Sequence, residues 1–287
     1  MHRDYKLSIV LPCYNEQDNL PNLLPTLKKL FADAEIILVD DASTDQSCAI
    51  AETHQVQVIR HKHNLGNGAC IKTGARAASG EVVVFMDADG QHNPQDIDKL
   101  LDKLDEGYDM VVGARAGSSH ASLLRRIGNG FYNRLASYIS RFEIEDLTSG
   151  FRAARAELFR KFLHLYPNGF SYPTTSTMAF IRSGYQVGYQ PIVALKREGK
   201  SHIRPIKDGL RFLVIIFKIG TLFSPLKLFV PISILHFVVG VSYYLYTYTT
   251  QGRFTNMSAI FIIASMLIFL IGLISEQITA LLYQRKD

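Results

Sequence analysis

The sequence predicts an α/β domain with a mostly parallel sheet, followed by helices that associate with a membrane. Two patterns predict this fold class. Short β-branched runs alternate with segments of helical spacing in residues 6–113, and two long apolar runs lie near the end of the chain. Hydrophobic residues make up 47% of the 287 residues and charged residues 20%, which argues against a disordered chain.

Five strands and four helices are predicted in order along the first part of the chain. Each strand is a short apolar run that ends at a polar turn, and a helical segment follows each of the first four. The strands are 6–11, 35–39, 56–60, 81–86 and 109–113, and the helices are 19–31, 45–53, 67–79 and 94–106. Alternating strands and helices indicate a parallel sheet, so ligands are expected beyond the carboxyl ends of the strands.

The two apolar runs, 226–248 and 258–282, have the length of about 20 residues that crosses the hydrocarbon core of a bilayer. Cations lie before or at the start of the first run and after the second, whereas the connecting loop carries only Arg253. These cations are Lys207, Arg211, Lys218, Lys227, Arg285 and Lys286. The positive-inside rule then predicts a multi-pass protein of the cytoplasmic membrane, with the α/β domain and both termini in the cytosol.

Residues 204–225 carry three cations on one side of a helical wheel and apolar residues over much of the rest. They are interpreted as an amphipathic helix lying on the anionic inner leaflet, the alternative being a helix packed against the α/β domain. The predicted organisation is therefore a domain over 1–203, an interfacial helix over 204–225, and a helical hairpin with a short tail over 226–287. A two-helix hairpin has little core of its own, so a homo-oligomer is one expectation.

The cysteine content excludes two other classes of protein. Cys13, Cys48 and Cys70 are scattered and include no CxxC pair, which argues against a disulfide-stapled fold and a structural zinc site. The formal net charge of +5 is a mild excess, and no nucleic-acid partner is expected.

Carboxylates follow the strand 81–86. Asp87 and Asp89 are alternate residues of an extended segment, so they share a face, and Gln91 continues the spacing. Hard oxygen ligands of this kind suit Mg²⁺ or Mn²⁺, and a bound cation would relieve the repulsion between the two carboxylates. The pattern predicts a divalent cation that also binds the phosphates of a nucleotide.

A dinucleotide-binding fingerprint is disfavoured. Gly66-Asn67-Gly68 begins like one, but Ile71 stands where its third glycine belongs, and the segment follows the third strand instead of the first. These residues therefore do not favour a Rossmann dehydrogenase.

Taken in order, the motifs resemble the family 2 glycosyltransferases, and within them the branch similar to dolichyl-phosphate mannose synthase and bacterial polyprenyl-phosphate glycosyltransferases. The resemblance covers nearly the whole chain and implies a GT-A fold. The matching segments are PCYNE (12–16), DDASTDQS (40–47), NLGNGACIKTGARAASGEVVVFMDADGQH (64–92), VVGAR (111–115), DLTSGFRAAR (146–155) and the C-terminal hairpin.

The resemblance also implies roles for particular residues. Those that bind the nucleotide-sugar are Pro12, Tyr14, Glu16, Asp41, Asp87 and Arg115, the last facing the phosphates with a guanidinium whose donors match phosphate oxygens. The metal ligands are Asp87, Asp89 and Gln91. The catalytic residues are Asp89 and Asp146, and the acceptor phosphate is expected at Arg126, Ser201 and Arg204.

The implied activity is inverting transfer of one sugar from a nucleotide-sugar donor to a polyprenyl phosphate at the cytosolic membrane face. A UDP-hexose or UDP-N-acetylhexosamine is favoured as donor, with GDP-mannose as the alternative. Two other functions stay open: a glycosyltransferase that acts on a hydroxyl of a lipid or protein, and a regulatory membrane subunit that binds nucleotide-sugar. A processive polysaccharide synthase is disfavoured because its QxxRW motif needs tryptophan, which this chain lacks.

Overall fold

The computed structural model describes residues 3–115, 130, 133–134, 136–138, 140–169, 172–193, 217 and 220–282. The chain divides into two compact units, each described here by itself. The first comprises Met1–Tyr138 and Phe142–Ser201, and the second comprises Ile139–Arg141 and His202–Asp287.

The first unit is an α/β domain. Its strands are β1 (Leu7–Cys13), β2 (Glu35–Asp40), β3 (Gln57–Arg60), β4 (Val82–Phe85), β5 (Met110–Arg115), β6 (Arg152–Arg155) and β7 (Val187–Ile192). Its helices are α1 (Leu20–Leu30), α2 (Ser47–Thr53), α3 (Asn67–Ala77), α4 (Asp96–Asp105), α5 (Ala156–Lys161) and α6 (Tyr172–Arg182). The strands and helices predicted before residue 114 are all confirmed, with ends that differ by a few residues.

The seven strands form one sheet in the order β3-β2-β1-β4-β6-β5-β7. The pairs β1–β2, β1–β4, β2–β3 and β5–β7 are parallel, and β6 runs antiparallel to both of its neighbours. The mostly parallel sheet that the sequence predicts is confirmed.

The core explains why these segments became strands and helices. Every residue of β4 is at most 1% exposed, which is the double-sided burial expected of a central parallel strand. On α1, Leu20, Leu23, Leu24 and Leu27 form one buried stripe at helical spacing, and they join the same core as the β1 residue Ile9.

The reversed direction of β6 determines where the candidate site lies. The carboxyl ends of β4 and β5 reach one edge of the sheet, and β6 starts at that edge because it runs the opposite way. Residues 146–151, which come directly before β6, therefore lie beside the residues that follow β4. The amide of Gly113 donates to the carbonyl of Phe151 at 2.9 Å and fixes this segment to β5.

Four elements, α5, α6, β6 and β7, were not predicted from the sequence. The sequence of β6 is Arg-Ala-Ala-Arg, without a β-branched residue, and β7 contains Gly188 and Pro191. The helix α6 carries the hydroxyl residues 174–177 in a row, residue types that favour turns and caps over helix interiors. Tertiary contacts override local preference here, since β6 pairs on both sides with strands of the sheet.

The second unit contains two long helices, α7 (Pro225–Gln251) and α8 (Asn256–Leu282), where the two apolar runs predict them. Both are long and apolar enough to cross a membrane. Gly252 follows α7 with a positive φ of 67°, a conformation that glycine adopts without strain, and so starts the turn between the helices.

Small residues seven positions apart form the contact between α7 and α8. On α7 the buried set includes Ser233, Gly240 and Thr247, and on α8 it includes Ser258, Ser265, Gly272 and Thr279. The Ser233 hydroxyl donates to the carbonyl of Ser265 at 2.9 Å. A Cβ added to Gly240 would lie 3.0 Å from the Phe261 Cβ. The seven-residue spacing keeps one helix face toward its partner, and small residues let two membrane helices approach closely.

This packing predicts a specific crosslink. In a Ser233→Cys/Ser265→Cys protein the two cysteines should form a disulfide on mild oxidation, because the two hydroxyl oxygens are 3.3 Å apart. Adding Gly240→Leu should lower the yield several-fold, since its side chain would meet Phe261. The control, Val238→Leu on the outer face, should keep the yield; an equal yield in all three proteins would contradict the packing.

The predicted interfacial helix over 204–225 lies mostly outside the described residues. Only residues 217 and 220–225 of that range are described, so the interfacial helix stays a prediction.

Candidate active site

Asp41, which directly follows β2, connects the carboxyl ends of β1, β2 and β3. Its amide donates to the carbonyl of Cys13 at the end of β1, at 2.9 Å. Its carboxylate accepts hydrogen bonds from the amides of Leu65 and Gly66 at 2.8 and 2.7 Å, and from Nδ1 of His61 at 2.8 Å. Asp41 is only 3% exposed. Its hydrogen bonds to the two amides hold the loop after β3 against the end of β2.

The electrostatics of Asp41 follow from these contacts. Burial by itself would raise the pKa of Asp41, but the hydrogen bonds from His61 and the two amides outweigh burial, and the pKa lies below its ordinary value. The other ring nitrogen of His61 lies 2.9 Å from the Thr73 hydroxyl on α3. Asp41 and His61 thus tie the loop to both β2 and α3.

Asp41, His61 and Cys70 lie close enough together to be considered as a metal site. The 2.8 Å separation between the Asp41 carboxylate and the His61 ring is that of a hydrogen bond. Two ligands of one zinc ion, each about 2.0–2.3 Å from it, would lie further apart than this in tetrahedral geometry. Burial also raises the pKa of the Cys70 thiol, which opposes the thiolate that binds a metal. This cluster therefore fits a hydrogen-bonded anchor better than a metal centre.

The lowered pKa of Asp41 predicts a pH-dependent stability. The stabilisation is complete above the ordinary pKa of 3.8 and is lost as the pH falls through the lower native-state pKa. Asp41→Asn should lower the free energy of unfolding by about 2 kcal/mol at pH 7, through weaker hydrogen bonds to the loop amides. Denaturant titrations from pH 7 to pH 3 should show that this difference shrinks below about pH 4.

Leu65→Ala is the matched control, because it changes the same loop and keeps the amide that Asp41 binds. Its stability difference from the wild type should be the same at every pH. A difference for Asp41→Asn that stays constant down to pH 3 would contradict the assigned role of the carboxylate.

The structure places the other predicted nucleotide-binding residues of this half at the same edge. Tyr14 is 49% exposed and offers an open ring after β1. Pro12 is buried within β1 opposite Val39. Glu16 is half-buried, and its carboxylate accepts a hydrogen bond from the Asn19 side chain at 2.7 Å. Of these three residues, Tyr14 has the most accessible side chain.

The three predicted metal ligands follow β4. Asp87 and Asp89 are both half-buried. The Asn67 side chain at the start of α3 donates to Asp87 at 3.2 Å, and the amide of Gln91 donates to Asp89 at 3.1 Å. Two carboxylates and a side-chain amide supply hard oxygen donors, which fit Mg²⁺ or Mn²⁺ better than softer metals. The donor chemistry at this position therefore fits the divalent cation that the sequence predicts.

Gly150 contributes to the position of Asp87. A Cβ added to Gly150 would lie 3.0 Å from a carboxylate oxygen of Asp87 and 3.2 Å from the Tyr172 hydroxyl. That hydroxyl donates to the carbonyl of Gly150 at 3.1 Å, and Tyr172 is buried. Asp87 therefore packs directly against the backbone of the segment before β6.

Gly150→Ala should consequently reduce transfer about tenfold, as the shifted carboxylate of Asp87 loses its geometry toward the nucleotide. The variant should unfold within a few degrees of the wild type, because the added methyl group meets a half-buried side chain. Gly169→Ala is the control, since nothing lies within 4 Å of a Cβ added there. Steady-state rates that fall equally in both variants would contradict the role given to Gly150. Rates that fall in neither variant would contradict it as well.

Arg115 at the end of β5 and Asp146 before β6 form a two-point ion pair. Nε and Nη2 of Arg115 donate to the two carboxylate oxygens of Asp146 at 2.7 and 2.9 Å. Burial alone would raise the pKa of Asp146, but the hydrogen bonds and charge of Arg115 lower it overall. Asp146 is 7% exposed and stays ionised, and Arg115 stays charged beside it.

Sequence reasoning missed the role of Arg152, which is fully buried. Its Nη1 donates to the carbonyl of Pro173 and the hydroxyl of Ser176 at 3.0 and 2.5 Å, and its Nη2 donates to the carbonyl of Ser149. Burial lowers the pKa of Arg152. Arg152 thus joins the segment before β6 to the first turns of α6. A charged residue directly after Phe151 and before two alanines was the available signal.

His92 was also missed as a site residue. It is 7% exposed and stacks on the ring of Phe151 at 4.9 Å between centroids. Burial lowers the pKa of His92 to about 4, so the ring is neutral at physiological pH. Its position directly after Gln91 was the available signal. His92 links the turn after β4 to the segment before β6.

The predicted acceptor-phosphate residues, Arg126, Ser201 and Arg204, lie outside the described residues. Of the twelve predicted site residues, the structure brings the other nine to one edge of the sheet, arranged in two halves. One half surrounds Asp41, and the other contains Asp87, Arg115 and Asp146.

This edge, with its carboxylates and its paired arginine on a mostly parallel sheet, has the GT-A architecture that the motifs imply. The family model described as glycosyl transferase family 2 matches residues 8–163, and a second model, described as the GtrB C-terminal hairpin, matches residues 224–281. The chain belongs to glycosyl transferase family 2. The resemblance stated from the motifs is confirmed.

Two similar proteins carry informative names. Undecaprenyl-phosphate 4-deoxy-4-formamido-L-arabinose transferase of Klebsiella pneumoniae is 31% identical over 203 residues, which is 67% of this chain and 61% of that protein. Polyprenol monophosphomannose synthase of Mycolicibacterium smegmatis is 30% identical over 208 residues, which is 66% of this chain and 77% of that protein.

A solved structure with the same fold is glucosyl-3-phosphoglycerate synthase of Mycobacterium tuberculosis in complex with Mn²⁺, UDP and glucosyl-3-phosphoglycerate. Its TM-score is 0.60 at 20% identity, and the match covers 75% of this chain and 78% of that one. At this identity the likeness concerns the fold alone, and it agrees with the predicted GT-A architecture.

Proposed function

We propose that the protein transfers a single sugar, with inversion, from a nucleotide-sugar to a polyprenyl phosphate at the cytosolic face of the membrane. The observation that carries the proposal is the combination of a family 2 domain with a C-terminal helical hairpin. The two relatives named above, whose names specify undecaprenyl phosphate and a polyprenol product, support the acceptor class.

The hairpin gives the acceptor assignment a physical basis. A polyprenyl phosphate has its tail in the bilayer and its phosphate at the headgroup level, so the enzyme must meet it there. Two helices long enough to span the membrane hold the chain at that surface. The cations before α7 and after α8 support a cytosolic site and cytosolic termini.

Donor binding is assigned to the residues around Asp41 together with the residues that follow β4. Tyr14, with its exposed ring, lines the base and ribose pocket together with Pro12 and Glu16, while Asp41 holds the facing loop. Asp87, Asp89 and Gln91 would hold the divalent cation. A bound Mg²⁺ or Mn²⁺ supplies charge stabilisation for the departing nucleoside diphosphate.

The acceptor needs little help from a base. The second pKa of a phosphate monoester is about 6, so most of the acceptor is already a dianion at neutral pH. Catalysis then depends on alignment of the acceptor oxygen with the anomeric carbon of the sugar. Asp146 lies at the reaction centre in this proposal, and Arg126, Ser201 and Arg204 are the proposed contacts of the acceptor phosphate.

We favour a UDP-hexose or a UDP-N-acetylhexosamine as donor, with GDP-mannose as the alternative. Thermal stabilisation of the full-length protein by UDP, GDP and their sugars with Mn²⁺ separates these donors, because a ligand that binds the native state raises its stability.

Product analysis tests the proposed reaction. Full-length protein in lipid vesicles is incubated with Mn²⁺, the radiolabelled nucleotide-sugar selected by that screen, and either polyprenyl phosphate or the matching polyprenol without phosphate. The proposal expects label in an organic-extractable phosphodiester with the phosphate acceptor alone. Label on the free polyprenol would favour the hydroxyl-directed transferase, and donor binding without any product would favour the regulatory subunit.

A further inference from the structure

Thr148 completes a ring of hydrogen bonds with Arg115 and Asp146. The Nη2 group of Arg115 donates to the Thr148 hydroxyl oxygen at 2.6 Å as well as to Asp146. The amide and the hydroxyl of Thr148 donate in turn to the same Asp146 oxygen, Oδ1, at 3.0 and 3.2 Å. Thr148 is therefore both an acceptor for the guanidinium and a donor to the carboxylate.

The acceptor positions of the Asp146 carboxylate are already occupied. It receives hydrogen bonds from Nε, Nη2 and the backbone amide of Arg115 and two more from Thr148, five in all. An ionised carboxylate offers about four acceptor positions. A carboxylate occupied in this way is a poor general base, because the proton would have to displace one of these donors.

The same ring fixes the Nε and Nη2 side of Arg115. The guanidinium Nη1 makes no hydrogen bond to any residue that the structure describes, whereas Nε and Nη2 are both held. The Arg115 side chain is 33% exposed, and the charge of Asp87 lies close enough to stabilise the guanidinium. Among the residues that the structure describes, the Nη1 edge of Arg115 is thus unoccupied, within the half of the site that also contains Asp87.

We infer that Asp146 and Thr148 are positioning residues, which act on the reaction by holding the Nη1 edge of Arg115 toward a phosphate group of a substrate. This inference rests on the proposed function and changes one part of it: Asp146, placed there at the reaction centre, acts through Arg115. Arg115 touches substrate, and Thr148 and Asp146 do not. The phosphate belongs either to the donor diphosphate or to the acceptor, and both present the oxygen pairs that a guanidinium binds.

A double-mutant cycle on Thr148 and Arg115 tests the inference. Thr148→Val removes the hydroxyl, and with it the hydrogen bonds to Arg115 and Asp146, at nearly constant shape, and it should lower kcat/KM about fivefold. Thr148→Ser should restore the rate to within about twofold, because it retains the hydroxyl group. In an Arg115→Lys protein, which cannot form the two-point pair, Thr148→Val should have less than about a twofold further effect.

Two further measurements identify which substrate carries the phosphate group that Arg115 binds. A raised KM for polyprenyl phosphate with unchanged UDP affinity in Mn²⁺ assigns it to the acceptor, and weaker UDP binding in calorimetry assigns it to the donor. Thr26→Val, an exposed threonine on α1, is the control that should change neither.

If the fold-changes in kcat/KM caused by Thr148→Val and Arg115→Lys multiply in the double variant, the inference is overturned. Unchanged kinetics of the Thr148→Val protein would also overturn it. Failure of the wild type to use polyprenyl phosphate counts against the proposed function instead. The cycle is then measured through UDP affinity, where additive effects or no effect of Thr148→Val again overturn the inference.

Discussion

Asp89→Asn should lower the rate of sugar transfer by at least about 10³-fold while leaving the domain folded, because loss of the cation removes several kcal/mol of charge stabilisation. Asp89 is half-buried in the turn after β4, and its carboxylate accepts the Gln91 amide, a contact that the asparagine oxygen retains. The substitution therefore removes a charge with little change of shape. Single-turnover rates with saturating donor and acceptor measure the effect directly.

Asp33→Asn provides the matched control for Asp89→Asn, since Asp33 is an exposed aspartate at the turn between α1 and β2. It should keep full activity and Mn²⁺-dependent UDP binding, whereas Asp89→Asn should lose the Mn²⁺ dependence. An Asp89→Asn protein that transfers sugar at more than a tenth of the wild-type rate would contradict the assignment of this carboxylate.

Deleting residues 226–287 should leave nucleotide binding intact and lower transfer to a long-chain polyprenyl phosphate in vesicles about 100-fold. The reason is effective concentration: a site held at the bilayer surface meets a membrane-bound acceptor far more often than a site in free solution. The deletion removes α7 and α8 and keeps every predicted donor-binding residue. Calorimetry with UDP and initial rates in vesicles measure the two effects separately.

A short-chain, water-soluble acceptor phosphate is the internal control for the truncated protein. Its rate should be similar for the truncated and full-length chains, because neither substrate nor site then depends on the membrane. If the truncated protein used the long-chain acceptor in vesicles as fast as the full-length protein, the hairpin would have no part in acceptor binding.

Much of the fold could be predicted because its elements have strong local signals. The strands β1, β2 and β4 are apolar runs that end at turns, and the sheet buries them on both faces, as their composition indicates. The two membrane-length helices were equally predictable, because each apolar run is long enough to cross a bilayer. The edge position of Asp41 and Asp87 follows from the rule that parallel strands bring their carboxyl ends together.

The half of the site before β6 could be recognised as a motif, but its geometry could not be predicted from neighbouring residues. Nothing local in Arg-Ala-Ala-Arg predicts a strand, and only its antiparallel insertion between β4 and β5 brings Asp146 beside Arg115. The buried position of Arg152 depends on α6, whose hydroxyl residues have weak helix preference. Contacts between distant segments decide these features, so a local sequence pattern does not contain them.

The small residues of the hairpin are a different case, since the signal was present in the sequence. Ser233, Gly240 and Thr247 recur every seven residues on α7, and α8 repeats the spacing with Ser265 and Gly272. A hydropathy average along the run does not show that these small residues share one face of the helix. Their meaning comes from packing, because a close approach of two helices requires small side chains at the contact.

Dependence of turnover on a divalent cation tests the central claim most directly. Full-length protein in lipid vesicles, supplied with nucleotide-sugar and polyprenyl phosphate, is assayed before chelation, with excess EDTA, and after Mn²⁺ is restored. The oxygen donors of Asp87, Asp89 and Gln91 predict that transfer stops with chelator and returns with Mn²⁺. Undiminished turnover in EDTA would contradict the account of this site.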